Sequence, residues 1–268
     1  MTLFIVGALL IVAVAAIVRF NYWKQAGARL QENGYVPPAP PFLGRFAFRF
    51  LNRLARLVMI GPVKVIGKEN ANYDGRLIIA PNHQYQFDFS MVAAAVPNFH
   101  YMTAIEELRG FRGVMGAWTG AYGVDRKAPG DAVIGASVKI LIQDQRRRVL
   151  IFPQGKLVTD NVLRAEDFKT GAVRILRRVA ELVNRQPCAI LPVAVYYKRD
   201  PKDATWFHRA LRSVGLKGFR RAFGVSNYGG TVVIGKPIPV ESLPADVHEA
   251  TALLHTRIQE ALDQASRA

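Results

Sequence analysis

The chain has 268 residues, of which 50% are hydrophobic, and it carries a formal net charge of +16 from 36 Lys plus Arg against 20 Asp plus Glu. This composition excludes an intrinsically disordered chain, because disorder combines high charge with low hydrophobicity. A single cysteine excludes an internal disulfide framework and a cysteine-based zinc site. The length fits one large domain, or one domain with an appendage.

The positive charge is concentrated in two stretches of the chain. Residues 1–60 carry seven basic groups and one acidic group, and residues 204–240 carry six basic groups and no acidic one, which together give +12 of the +16. Such surfaces bind polyanions, either nucleic acid or an anionic membrane. Because the sequence has no recognised motif that reads DNA or RNA, we expect an anionic membrane surface and no nucleic acid as partner.

The first predicted element is an apolar helix. Leu3–Val18 is almost wholly apolar, and at 1.5 Å per residue it spans about 24 Å, somewhat less than the roughly 30 Å hydrocarbon layer. Phe20, Tyr22 and Trp23 follow it and suit a membrane interface. A cleaved signal peptide is the alternative, but its positive charge would precede the apolar run, whereas Arg19 follows it. We predict an uncleaved anchor, with the later residues on the cytoplasmic face of the membrane.

A second membrane element is predicted after the Pro-rich connector at residues 37–41, which no helix can cross. Arginines recur at helical spacing between apolar and aromatic residues from Arg45 to Ile60, at positions Arg45, Arg49, Arg53 and Arg56. This pattern is typical of a helix lying in a membrane interface, and the alternative is a surface helix packed on its own domain. The basic and aromatic stretch Trp206–Phe223 is a candidate second contact. We therefore predict a membrane anchor over residues 1–60 and a separate domain over residues 61–268.

Short apolar runs alternate with segments of helical length after Gly61. The predicted strands lie near Val63–Ile66, Arg76–Ala80, Phe99–Thr103, Gly120–Val124, Val149–Phe152, Ala189–Tyr196 and Thr231–Ile234. The predicted helices lie near Asp88–Val96, Ile105–Trp118, Asp131–Arg146, Thr170–Asn184 and Pro244–Ala265. This alternation predicts an α/β fold with a mostly parallel central sheet and helices on both faces. Ligands of such sheets bind at the carboxyl ends of the strands.

His83 and Asp88 follow the second predicted strand. On one continuous helix they would lie about 140° apart and could not pair. A turn that leads into a helix starting near Asp88 lets the carboxylate bind one imidazole nitrogen and leaves the other nitrogen as a base. The alternative is an ordinary loop histidine, with Asp88 only capping the helix.

Basic side chains follow two other predicted strands. The strand Val149–Phe152 runs into Pro153, Gln154, Gly155 and Lys156, and the strand Gly120–Val124 runs into Asp125, Arg126 and Lys127. We expect His83, Arg126 and Lys156 to share one cleft at the edge of the sheet. A base beside two cations suits the activation of a hydroxyl on an anionic substrate.

Four sequence blocks, in order over about residues 62–240, resemble the lysophospholipid acyltransferase superfamily, which includes the 1-acylglycerol-3-phosphate acyltransferases. The blocks are Asn82-His83 with Asp88, Gly120 to Arg126, Phe152 to Gly155 followed by Phe168-Lys169-Thr170-Gly171, and Ile190 to Val193. The resemblance implies that His83 is the general base and that Asp88 orients it. It also implies an acceptor pocket formed by Arg126, Phe152, Pro153, Gln154, Gly155 and Lys156, with Arg126 on the phosphate.

The activity implied is a membrane-bound transfer of an acyl chain from acyl-CoA or acyl carrier protein to the hydroxyl of a lysophosphatidic acid-like acceptor, without metal or cofactor. Two positions depart from the family pattern. Gln154 stands where the family has Glu, and Lys156-Leu157 replaces the usual Thr-Arg. The Lys also resembles tafazzin-type transacylases, so a CoA-independent phospholipid transacylase is one alternative. A non-catalytic membrane-binding protein is the other.

Overall fold

A computed structural model describes residues 2–56, 60–85, 87–96, 98–125, 127, 130–158, 162–184, 186–198 and 229–268. The strands are β1 (Val63–Ile66), β2 (Arg76–Pro81), β3 (His100–Ala104), β4 (Ala121–Val124), β5 (Arg148–Leu150), β6 (Cys188–Tyr197), β7 (Gly230–Ile234) and β8 (Ile238–Pro239). The helices are α1 (Thr2–Arg29), α2 (Phe42–Ala55), α3 (Asp88–Val92), α4 (Phe111–Thr119), α5 (Gly130–Ile142), α6 (Gly171–Leu182) and α7 (Val247–Ser266).

Across these ranges the strands form one eight-stranded sheet in the order β1-β7-β6-β2-β5-β3-β4, with β8 paired to β6. The five strands from β6 to β4 in this order run parallel to one another. β1 and β7 are parallel to each other, but β7 is antiparallel to β6. The predicted mostly parallel sheet is confirmed, and the carboxyl ends of five strands meet at one edge.

Helices cover both faces of the sheet, as β2 shows most clearly. Every residue of β2 is buried. Because alternate side chains of a strand point to opposite faces of the sheet, this burial means that both faces are covered at β2. Ile78 and Ala80 pack in the core that α5, α6 and α7 cover, whereas Leu77 and Ile79 pack in the core that α2 and α3 cover. A fully buried side chain of this size contributes about 1.5–3 kcal/mol. The sheet is therefore a rigid base for the loops at its edges.

Three predicted helix boundaries are wrong. The segment predicted as Ile105–Trp118 is interrupted, because Gly110 has a left-handed φ of 58° that separates the 3-10 turn Ile105–Leu108 from α4. α3 gives way to turns after Val92. α5 ends at Ile142, and the Asp144 carboxylate accepts a hydrogen bond of 2.9 Å from the Arg146 backbone N–H in the turn that follows.

The N-terminal helices pack on the domain through small residues. A Cβ on Gly27 of α1 would lie 2.6 Å from the backbone nitrogen of Val114 in α4, so only glycine permits this close approach. In α2, a Cβ on Gly44 would lie 2.2 Å from the carbonyl oxygen of Trp118. No helix within the described ranges is both long enough and sufficiently apolar to cross a membrane. The predicted anchor and the predicted division at residue 60 stay predictions.

Two further predictions from the sequence, on Cys188 and on the second basic stretch, have different outcomes. Cys188 is a free and fully buried thiol, as its apolar surroundings indicate, and burial raises its pKa to about 11. The basic stretch Trp206–Phe223 lies outside the described residues.

Candidate active site

The structure brings His83 and Asp88 together at the carboxyl end of β2. The chain leaves the sheet after Pro81, turns, and enters α3 at Asp88. The His83 Nδ1 atom lies 2.9 Å from the Asp88 Oδ2 atom. The Asp88 side chain is fully buried, whereas 16% of the His83 side chain is exposed. The carboxylate therefore lies beneath the imidazole, which itself reaches the surface.

Asp88 accepts further hydrogen bonds from three other donors. The backbone N–H groups of Gln84 and Tyr85 both donate to Oδ2, the second over 2.8 Å. The Tyr197 hydroxyl at the end of β6 donates to Oδ1 over 2.6 Å. A buried carboxylate is tolerated when its oxygens are hydrogen-bonded, and bonds to a charged group contribute about 1.5–3 kcal/mol each. Asp88 is thus a fixed negative charge.

Tyr197 acts only as a donor. Burial, together with the adjacent Asp88 carboxylate, raises the pKa of Tyr197 well above its ordinary value of 10. The hydroxyl consequently keeps its proton over the whole physiological range. It holds the Asp88 oxygen that does not face His83.

The contact with Asp88 fixes which nitrogen of His83 carries the proton. A carboxylate only accepts, so Nδ1 donates to it and the lone pair of Nε2 is left to accept a proton. The imidazole also stacks on the Phe152 ring, with centroids 3.7 Å apart and planes inclined by 16°. The ring is held at one edge by Asp88 and over one face by Phe152.

The loop after β5 is joined to the His83 turn by two hydrogen bonds. The His83 N–H donates to Gln154 Oε1 over 2.8 Å, and the Val158 N–H donates to the His83 carbonyl oxygen over 2.7 Å. Gly155, with a φ of 64°, closes the turn between them, and its N–H donates to the Phe152 carbonyl oxygen. The Pro153 carbonyl oxygen accepts from the Lys169 N–H. Phe152, Pro153, Gln154 and Gly155 therefore form one ordered loop beside the imidazole.

Gln154 uses only one end of its amide. The residue is 1% exposed, and its Oε1 atom accepts from His83. Its Nε2 atom has no hydrogen-bond partner within the described part of the chain. A carboxylate at this position could accept from His83 equally well but would offer no donor. Gln154 thus carries a buried N–H₂ group at the position where the family pattern has a carboxylate oxygen.

Of the two cations predicted for the cleft, Lys156 lies among the described residues and Arg126 does not. The Lys156 Nζ atom lies 2.5 Å from Asp167 Oδ1, and its side chain is 60% exposed. Its charge is therefore neutralised by a carboxylate of the neighbouring loop. Arg126 lies outside the described residues, so the predicted cleft of His83, Arg126 and Lys156 stays a prediction.

The sequence analysis missed Tyr197, and it named Asn82 in the first block without giving it a role. Tyr197 follows the alternate positions Val193 and Val195, which face the same core as α3, so strand alternation would have placed it toward Asp88. The Asn82 side-chain amide makes hydrogen bonds to the β6 backbone just beyond the end of β2. Its Nδ2 donates to the Val195 carbonyl oxygen over 2.9 Å, and its Oδ1 accepts from the Val195 N–H over 2.6 Å. Asn82 therefore fixes the exit of the chain toward His83.

The arrangement is suited to removing a proton from a hydroxyl group. It has an oriented imidazole and a buried carboxylate that can stabilise the imidazolium. Among the described residues, no three His, Cys, Asp or Glu side chains cluster as a metal site requires.

Comparisons with known proteins agree with this geometry. A family model described as Acyltransferase matches residues 62–196. The fold is similar to that in a crystal structure of the 1-acyl-sn-glycerophosphate (LPA) acyltransferase PlsC from Thermotoga maritima, with a TM-score of 0.56 and 16% sequence identity. That match covers 82% of this chain and 79% of the PlsC chain. No curated protein sequence matches the chain.

Proposed function

Because the chain belongs to the acyltransferase family, we propose that it transfers an acyl chain from acyl-CoA or acyl carrier protein to the hydroxyl of a lysophospholipid. The observation that carries this proposal is the His83–Asp88 pair at the carboxyl edge of the sheet, at 2.9 Å. Lysophosphatidic acid is the first acceptor to test, because the structurally similar PlsC is described as an LPA acyltransferase.

The proposed reaction needs no covalent enzyme intermediate. His83 Nε2 takes the proton of the acceptor hydroxyl while its oxygen attacks the thioester carbonyl. The new C–O bond forms, the C–S bond breaks, and the leaving thiolate takes the proton back from the imidazolium. Asp88 stabilises the imidazolium between these two steps.

The acceptor is proposed to lie along the loop after β5. Phe152, Pro153, Gln154 and Gly155 are proposed to shape the pocket. Lys156 and Arg126 are proposed to bind the acceptor phosphate. Lys156 would then exchange its pairing with Asp167 for the phosphate, as its exposed position on the loop allows.

Membrane binding is proposed to use α1 and α2. The inner side of α2 packs on the domain through Gly44, Phe48 and Asn52. Its remaining surface exposes large apolar residues, namely Phe42, Leu43, Phe46, Phe50, Leu51 and Leu54, and α1 exposes Val14, Ile17, Val18 and Phe20. Contiguous exposed apolar surface of this kind, bordered by arginines, is typical of membrane contact. We propose that the catalytic domain lies on the cytoplasmic face.

The test is product analysis by mass spectrometry with the purified full chain. The chain is incubated with lysophosphatidic acid and acyl-CoA, with lysophosphatidic acid and acylated carrier protein, or with lysophosphatidic acid and intact phospholipid alone. Phosphatidic acid formed only with a thioester donor is the expected result. Product without any thioester would identify a transacylase, and no product with any donor would contradict the proposed activity.

A further inference from the structure

A pocket of about 560 Å³ lies far from the candidate active site. It is lined chiefly by polar residues, namely Lys68, Glu69, Asn72, Asn98, Arg146 and Arg148. Its volume is in the range of small-ligand sites, which is about 300–1,000 Å³.

The pocket is at the amino edge of the parallel strands. Arg148 begins β5 opposite Leu77 of β2, and Asn98 lies two residues before the start of β3. His83 follows the other end of β2, whose six residues span about 20 Å at 3.3 Å per residue. The pocket therefore belongs to a different edge of the sheet from the catalytic pair.

Three cations face this pocket against one carboxylate. Lys68, Arg146 and Arg148 line it together with Glu69, and no ion pair joins any of these side chains to a carboxylate of the described residues. Arg148 is half-buried, and burial lowers the pKa of its guanidinium below its ordinary value. A partly desolvated cation without an anion is unfavourable, and a bound anion would remove that cost.

Amide groups supply neutral donors at the same place. Asn98 has a left-handed φ of 62°, and its Oδ1 atom accepts from Arg49 Nε of α2 over 3.2 Å. With its oxygen engaged, the Asn98 amide offers its N–H₂ group. Asn72 lines the pocket with a second amide.

We propose that this pocket binds a phosphate group, through the Arg146 and Arg148 guanidinium groups, Lys68 and the two asparagine amides. Guanidinium groups match the geometry of phosphate oxygens, and an excess of two positive charges suits a doubly charged anion. The phosphate comes either from a lipid headgroup in the membrane on which α2 rests or from a soluble phosphorylated compound.

The test uses the full chain and two probes. Inorganic phosphate binding is measured by isothermal titration calorimetry, and sedimentation is measured with phosphatidylcholine vesicles with or without phosphatidylglycerol. The pocket variants are Arg148→Gln and the exposed pair Lys68→Gln/Arg146→Gln. The control is Arg178→Gln/Arg257→Gln, which removes the same charge as the pair from exposed positions of α6 and α7, on the face of the sheet opposite to the core that borders the pocket. Melting curves establish that all variants fold.

Both pocket variants are expected to weaken binding by about tenfold or more, while the control stays close to the unchanged chain. Loss of inorganic phosphate binding alone identifies a soluble ligand. Loss of the preference for phosphatidylglycerol vesicles identifies a lipid headgroup. The proposal is overturned if the unchanged chain binds neither probe, or if the control loses as much binding as the pocket variants.

Discussion

Asp88 is fully buried, and among the described residues four donors surround its carboxylate, three from its own turn and one from β6. Only the Tyr197 donor comes from a distant part of the chain. It therefore couples the turn that holds His83 to strand β6. Its removal should affect both stability and activity.

For Tyr197→Phe we expect a decrease of about 1.5–3 kcal/mol in the free energy of unfolding, because a charged oxygen loses its donor. We also expect kcat to fall about tenfold with little change in KM, because the carboxylate orients His83 less firmly. Urea unfolding and steady-state kinetics measure both. Tyr122→Phe is the control, since the Tyr122 hydroxyl meets only the neutral Ser137 hydroxyl. Equal losses in the two variants would contradict a special role for Tyr197.

Gln154 is predicted to fix the His83 backbone. Gln154→Met removes the oxygen that accepts from the His83 N–H, and we expect the free energy of unfolding to fall by about 1–3 kcal/mol. Thr231→Val is the control, because it replaces a buried hydroxyl that has no partner in the described structure. Unfolding in urea compares the two. A Gln154→Met protein as stable as the control would show that this hydrogen bond is unimportant.

His100 makes stability depend on pH. Burial, and then the adjacent Arg147 guanidinium, lower the pKa of His100 from 6.5 to about 4. Arg147 also donates to His100 Nε2 over 2.9 Å, which requires the neutral ring. As pH falls from about 6.5 to about 4, the unfolded chain binds a proton that the folded chain refuses.

We therefore expect this group to remove up to about 3 kcal/mol of the free energy of unfolding across that interval. His100→Gln keeps an acceptor for Arg147 and does not titrate, so its stability should fall less between pH 6.5 and pH 4. Chemical unfolding of both proteins across the interval measures the difference. Parallel pH dependences would contradict the assignment.

At the scale of elements, patterning predicted the strands better than the helices. Continuous apolar runs marked β2 and β6 because strands inside a parallel sheet are buried on both faces. The break before α4 was missed because Gly110 in a helical pattern does not reveal its left-handed φ. The two-residue strand β8 is too short for any periodicity to show.

The arginine spacing predicted α2, and the structure shows which side of this helix is buried and which side is exposed. One narrow side packs on the domain, and the rest exposes apolar residues between arginines. The packed side agrees with the surface-helix alternative, whereas the contact with a membrane interface stays a prediction. The spacing could not separate them, because it does not reveal which side meets the domain.

For Phe46→Ser/Phe50→Ser we expect vesicle binding to weaken about tenfold or more, because two large exposed side chains no longer enter the membrane interface. Stability should stay unchanged, since neither side chain packs in the core. Sedimentation with anionic vesicles and thermal unfolding are the measurements. Leu182→Ser, an exposed apolar residue at the end of α6, is the control. Unchanged vesicle binding would contradict a role of α2 in membrane binding.

At the scale of the whole molecule, the resemblance to the lysophospholipid acyltransferase superfamily is confirmed by the family match and the fold. The mostly parallel sheet followed from the alternation of strands and helices. The antiparallel direction of β7 could not be predicted from that alternation. A long connection separates β6 from β7, and the direction of a strand after such a connection leaves no local sequence pattern. Likewise, the pairing of Lys156 with Asp167 depends on how two loops fold together.

The central claim is that His83 is the base of an acyl transfer. The most direct measurement is thiol release from acyl-CoA with a lysophosphatidic acid acceptor, catalysed by the full chain and by His83→Ala. His248→Ala, an exposed histidine on α7, serves as the control. We predict a fall in kcat of about 10²–10⁴-fold for His83→Ala alone, with an unchanged melting temperature. Thiol release by a folded His83→Ala protein at the rate of the unchanged chain would contradict it.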